Sequence, residues 1–193
     1  PPALATRLRL ELELLLYKEP WVKALSELQK WGGLLLLDSG LQNDPNWERR
    51  LRWGSKLGID LLTALVIGAA DPQALAKRLQ LPHHQHQLII QSLEIQNILF
   101  SINVRKDYLS WSPSRWCHEI ESANWNQEAI ALSICNCCSM WKPLFRWWSR
   151  WRFIKSPISA KALISKGWEP GPSLGKELKR LRQERLDEQN GSR

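Results

Sequence analysis

Short breakers divide this chain into stretches of helix-forming residues, and β-branched alternation is almost absent from it. That pattern points to packed helices, because sheets are built from period-two runs rich in Val, Ile and Thr. Pro20 stands where a helix can start, and Trp21, Leu25 and Leu28 form one apolar stripe behind it. Gly32-Gly33 ends that helix, since glycine takes the left-handed cap conformation without steric cost. Asn46 is placed to cap a helix through Trp47, Leu51 and Leu57, and Asp60 to cap the apolar helix that runs to Ala70. Asp71-Pro72 and Ser112-Pro113 each set a cap residue ahead of a proline at the first helical position. Leu81-Pro82 precedes a long segment, Leu88 to Ile102, with one broad apolar face. A further helix is expected over Asn126 to Trp141, with Lys142-Pro143 separating it from another that ends at Phe153. The turn Glu169-Pro170-Gly171-Pro172 then leads into a charged helix from Ser173 to Glu188.

One segment argues with itself. Residues 7–14, Arg-Leu-Arg-Leu-Glu-Leu-Glu-Leu, alternate strictly, which is the period of a half-buried strand. Leu, Arg and Glu are nevertheless good helix formers and poor strand formers. Arg7 with Glu11 and Arg9 with Glu13 also fall four residues apart, where opposite charges support a helix. The segment is therefore predicted as helix, and the fold class as all-α, with a helical neck and body and a small helical C-terminal tail.

Composition narrows the class further. The chain has 193 residues, 44% of them hydrophobic, which is enough to bury a core and excludes a disordered tail. The longest apolar run, Leu61 to Ala70, is interrupted by Thr63 and is about half the ~20 residues a membrane-spanning helix needs. No secretory leader is read in the sequence, and four Cys make no disulfide framework in a chain of this length. A soluble protein of a reducing compartment, the cytoplasm, is expected. The chain opens Pro1-Pro2 without an initiator Met, as a piece of a longer protein would.

The charge is not spread evenly. Between Glu128 and Glu169 stand seven basic residues (Lys142, Arg146, Arg150, Arg152, Lys155, Lys161 and Lys166) and no acidic one. Within that interval Phe145-Arg146-Trp147-Trp148-Ser149-Arg150-Trp151-Arg152 interleaves aromatics with arginines. Arginine forks match phosphate oxygens, and exposed aromatic rings give bases a surface to stack on, so RNA contact is one reading. A helix whose Trp residues are core and whose arginines are solvated is a second, and a basic helix lying on a membrane surface is a third. In the C-terminal helix Leu174, Leu178 and Leu181 gather on one side, with Lys176, Lys179 and Arg180 roughly opposite. Gly171 is placed to let the backbone turn tightly before that helix, whose N-terminus would favour phosphate. A docked tail helix with a solvated face fits the same pattern.

Metal and catalytic chemistry find little support. Cys135, Cys137 and Cys138 lie in a segment predicted as helix beside Ala131, Leu132 and Ile134, and only Cys117-His118 could supply the second ligand pair that zinc requires. They are read as buried thiols. His83, His84 and His86 lack a matching ligand group and are read as decorating a helix start. The sequence contains no Asp-x-Asp pair to hold two metal ions for nucleotidyl transfer. No phosphate-gripping glycine loop and no Ser/His/Asp constellation stands out, so no catalytic residue and no cofactor is assigned to this chain.

The stretch Gly167-Trp168-Glu169-Pro170-Gly171-Pro172-Ser173-Leu174-Gly175-Lys176-Glu177-Leu178-Lys179-Arg180-Leu181 closely resembles the tail of bacterial-type CCA-adding tRNA nucleotidyltransferases, relatives of bacterial poly(A) polymerase. That tail carries a Gly-x-x-Pro-Gly-Pro-x-x-Gly-x-x-Leu-x-x-Leu pattern. The run Arg7-Leu8-Arg9-Leu10-Glu11-Leu12, with Leu25, Leu28 and Gly33-Leu34-Leu35, looks like the family's neck. Thr6 stands where the family usually has Glu, and Leu8 where it has Ile. The resemblance implies neck-like helices over 1–45, an RNA-binding body over 46–156 and a tail over 157–193. It implies tRNA as partner, gripped at the acceptor and T arms, and a catalytic head whose motifs are not in this sequence. Mg and ATP or CTP would belong to that head. The residues predicted to contact RNA, from the charge pattern, are Arg146, Trp147, Arg150, Arg152, Lys155, Lys161, Lys166, Gly171, Lys176, Lys179 and Arg180. Against the resemblance stand a free-standing basic RNA-binding protein and a Trp-rich membrane-surface or interaction module.

Overall fold

The computed structural model describes residues 2–136 and 140–188, which leaves Cys137 and Cys138 outside the described residues. Helices and short 3-10 turns make up the regular structure, and no strand occurs among the described residues. The fold is all-α.

The chain forms two compact units, one of residues 1–101 and 126–141 and one of residues 102–125 and 142–193. These units do not divide after residues 45 and 156, where the sequence reading put its boundaries. The chain leaves the first unit at residue 101 and re-enters it at 126, because the returning helix is buried throughout from Ala129 to Cys135 and belongs in that unit's core. A division into consecutive segments does not register such a return.

The first unit starts with α1 (Pro2–Lys18), so the alternating segment is helical. Its helical spacing buries Leu12 and Leu16, four apart, and leaves Leu8, Leu10 and Leu14 exposed. Arg9 and Glu13 pair at 3.6 Å as the i,i+4 rule expects. The next helix, α2 (Trp21–Lys30), buries Leu25 and is followed by Gly32 at φ 75° and a 3-10 turn, Gly33–Leu36. A single turn, α3 (Ser39–Gln42), is capped by Asp38, whose Oδ1 also accepts a hydrogen bond from the Ala70 backbone N–H at 2.7 Å. In α4 (Trp47–Leu57) the expected Asn46 cap makes no side-chain bond. Asn46 has φ −105° and ψ 0°, not the extended backbone that aims a capping side chain at the third helical N–H. Its own N–H is held by Asp44 Oδ1 at 2.7 Å instead.

Asp60 and Asp71 cap α5 (Leu61–Val66) and α6 (Pro72–Arg78) as predicted, but α5 ends at Val66 and not at Ala70. The long helix α7 (His83–Arg105) begins at the histidine cluster, where His84 lies 3.3 Å from Glu128. Between α4 and the returning helix α9 (Gln127–Cys135) sits the core of this unit. Ser92 and Ser133 hydrogen-bond to each other at 2.9 Å within that core. The helix predicted over 126–141 is therefore shorter than expected, with Asn136 at its C-terminal cap. The Asn136 amide donates to the Gln96 Oε1 at 3.3 Å, an alternative to continuing the helix.

The second unit is built from α8 (Pro113–Ser122), α10 (Trp141–Ser149), α11 (Ala160–Ile164) and α12 (Pro172–Glu188). Pro143 lies inside the first turn of α10, not between helices, since a proline there removes only an N–H that has no helical partner. This small unit buries Trp116, Trp147 and Trp151 alongside Ile120, Leu144, Leu163, Leu174 and Leu186. Three indoles give a short chain a large buried area per residue, which accounts for part of the unusual tryptophan content.

Candidate nucleic-acid interface

Arg146, on α10, is exposed, while its neighbour Trp147 is only 6% exposed and donates its indole N–H to Glu121 Oε1 at 3.0 Å. Trp147 is thus a packing residue of the second unit and offers no open ring to a base, contrary to its inclusion among the expected contacts. The helical period explains this: Leu144 and Trp147 lie three apart on the buried face, and Arg146 and Arg150 lie four apart on the exposed one.

After α10 the chain makes a 3-10 turn, Trp151–Phe153, in which Trp151 is buried and Phe153 exposed. Arg152 has its guanidinium carbon 4.7 Å from the Trp148 ring centre and 4.6 Å from that of Phe153, with the Trp147 ring farther off at 6.0 Å. Lys155, Lys161 and Lys166 are all exposed.

The tail helix is fixed to this turn by two arginines that pattern reading had not singled out. Arg182 donates to Glu121 through both terminal nitrogens at 2.7 Å and from Nε to the Ile154 carbonyl at 2.7 Å. Arg185 donates to the Lys155 carbonyl at 3.1 Å. Burial pushes the Glu121 carboxyl up, but the hydrogen bonds from Arg182 and Trp147 outweigh it and hold its pKa below the ordinary glutamate value. A signal for Arg182 was present. It stands four residues after Leu178 on the leucine side of α12, where a charged residue implies a partner. The residues around 146–155 and those of the tail helix, expected in body and tail respectively, thus belong to one compact unit.

Within α12, Lys176 and Lys179 are exposed, but Arg180 is already engaged. It takes Glu177 through two hydrogen bonds of 2.8 and 2.7 Å and also pairs with Glu184. That bonding raises its pKa and lowers that of Glu177. A phosphate would have to displace two carboxylates to reach Arg180, so it contributes less than its position suggested. Gly171 needs correction as well. Its φ is not positive and a Cβ there would meet nothing, so the turn does not require glycine. The left-handed position is Gly167, at φ 96°, which closes α11.

A second aromatic cluster in this unit was missed. Trp111 and Trp116 lie 4.8 Å apart, and the Arg115 guanidinium sits 5.0 Å from the Trp111 ring. Cys117 and Cys135 are buried free thiols, and burial pushes each pKa up to about 12. Among the described residues, no group of three or more His, Cys, Asp or Glu could hold a metal ion.

Charge divides sharply between the units. The second unit contains sixteen Lys and Arg against eight Asp and Glu, while the first contains eleven of each. The whole of the formal charge of +8 therefore resides in the unit that carries Arg146, Arg150, Lys155 and the tail helix. Among the described residues, no helix is long and apolar enough to cross a membrane. Comparison with family models, with curated proteins and with solved structures finds no match to this chain.

Proposed function

We propose that this chain is the RNA-gripping part of a tRNA nucleotidyltransferase of the CCA-adding family, the part that holds tRNA while a separate head extends its 3′ end. The observation that carries the reading is the confinement of the entire net charge to the second unit. An excess of one charge concentrated on one small unit repels itself and suits a polyanionic partner. The tail motif from Gly167 to Leu181 lies in the same unit and narrows the polyanion to tRNA.

The roles follow from the chemistry. Arg146, Arg150 and Lys155 contact phosphates and fix the orientation of the duplex without reading its sequence, as a protein that serves every tRNA requires. Lys161, Lys166, Lys176 and Lys179 extend the cationic surface. Arg182 and Arg185 are positioning residues, since they bind protein groups and set the tail helix against the 151–155 segment. Nucleotidyl transfer itself, with its Mg and its CTP or ATP, is assigned to the head, and this chain alone is expected to bind RNA without extending it. The partners are then tRNA and that head.

A footprint of bound tRNA tests the assignment. Protection from backbone cleavage is expected along the acceptor and T arms, with the anticodon arm cut as in free tRNA. Protection centred on the anticodon arm, or none at saturating protein, would contradict it.

A further inference from the structure

Phe153 is 63% exposed, and it does not stand alone. Trp148 is half-buried on the last turn of α10, and the Arg152 guanidinium lies 4.7 Å from its ring centre and 4.6 Å from that of Phe153. The buried Trp151 anchors the turn, so the ring of Phe153 is presented outward by a fixed backbone and not by a loose one. Exposed Arg146, Arg150 and Lys155 flank it in sequence, and no acidic residue occurs between Glu128 and Glu169.

We infer that Phe153, backed by Arg152 and Trp148, is a stacking platform for one unpaired base that adjoins the RNA duplex gripped by the same unit. The inference rests on the RNA-binding reading above and specifies what that surface takes. Within a duplex each base face is covered by its neighbours, and the deep, narrow major groove of A-form RNA admits no side chain. An open phenyl ring is therefore of no use against paired bases. A base splayed out at a loop or an end presents a free face, and the guanidinium behind the phenyl adds its charge to the stack. Cations on either side suit the phosphates that bracket such a base. The arrangement also separates two tasks: arginines and lysines hold the backbone, and the ring finds the end of the helix.

The test compares a short hairpin carrying a fluorescent base analogue in its loop with a blunt duplex of the same stem. The wild-type chain is expected to bind the hairpin about tenfold more tightly than the duplex and to quench the loop fluorophore. Phe153→Leu keeps an apolar side chain on the surface but removes the flat face. It should bring hairpin binding down to the duplex level, with duplex affinity and salt slope unchanged. Phe153→Trp should restore both the preference and the quenching. Equal loss on hairpin and duplex, or an unchanged preference in Phe153→Leu, would overturn the platform while leaving the duplex-binding reading in place. Binding to neither RNA would overturn both. Loss confined to phosphatidylserine–phosphatidylcholine vesicles, with RNA binding intact, would instead make Phe153 a lipid contact and also overturn the platform.

Discussion

Replacing Arg50 with methionine is expected to cost the first unit about 3–5 kcal/mol, the usual loss when one partner of a buried ion pair is removed. Arg50 lies on α4 and is only 3% exposed. Its Nη2 meets Asp44 Oδ2 at 2.6 Å, and its Nε donates to the Ala64 carbonyl at 2.7 Å. Burial works to lower its pKa and Asp44 works to raise it, and burial prevails. The guanidinium also occupies the space that a side chain at residue 68 would need, since a Cβ on Gly68 would come within 1.9 Å of it. One cation thus ties α4 to Asp44 and to α5, and packs against Gly68. Its removal strands the Asp44 carboxylate and leaves the Ala64 carbonyl without this donor. Denaturant titration checks this, and the double variant Arg50→Met with Asp44→Asn should recover a substantial part of the loss. A shift of the midpoint worth less than about 1 kcal/mol would mean that the pair is not holding the unit together.

The second large effect concerns binding. Arg146, Arg150 and Lys155 are all exposed, and changing them together to Gln, with the fold checked by circular dichroism, tests this surface. Each cation withdrawn from a phosphate should lower the slope of log affinity against log salt by about 0.9 and weaken binding about fivefold near 0.15 M salt. If all three touch phosphate, affinity falls about a hundredfold. Different tRNAs should suffer alike, because backbone contacts carry no sequence information. Arg180→Gln should cost much less, since Glu177 and Glu184 already hold that charge. An unchanged slope in the triple variant would mean that this surface does not hold RNA.

What could be read from the sequence and what could not divide along a physical line. Helix existence was readable, and so were the caps at Asp60, Asp71 and Ser112, because these depend on residues within one turn of each other. The alternating segment was decided correctly by propensity and i,i+4 charges over bare periodicity. Failures came where partners are distant in the chain. Nothing local says that Asp38 caps α3 and also holds the Ala70 amide, or that Arg50 reaches Asp44 and Ala64. Trp147 looked like part of an aromatic–arginine surface until its partner, Glu121, 26 positions away, showed which face of α10 is packed. Of the candidate interface, the cationic residues were legible as a cluster. Which of them already have protein partners, as Arg180 and Arg182 do, was not.

Whether this chain grips tRNA by its shape is tested most directly by its binding, over a range of salt, to whole tRNA, to a minihelix of the acceptor and T arms, and to an unstructured RNA of equal length. The tRNA and the minihelix are expected to bind about equally and more tightly than the unstructured strand, with the preference persisting as salt rises. Equal and steeply salt-sensitive binding to all three would contradict the proposed role, leaving a basic unit attracted to any polyanion.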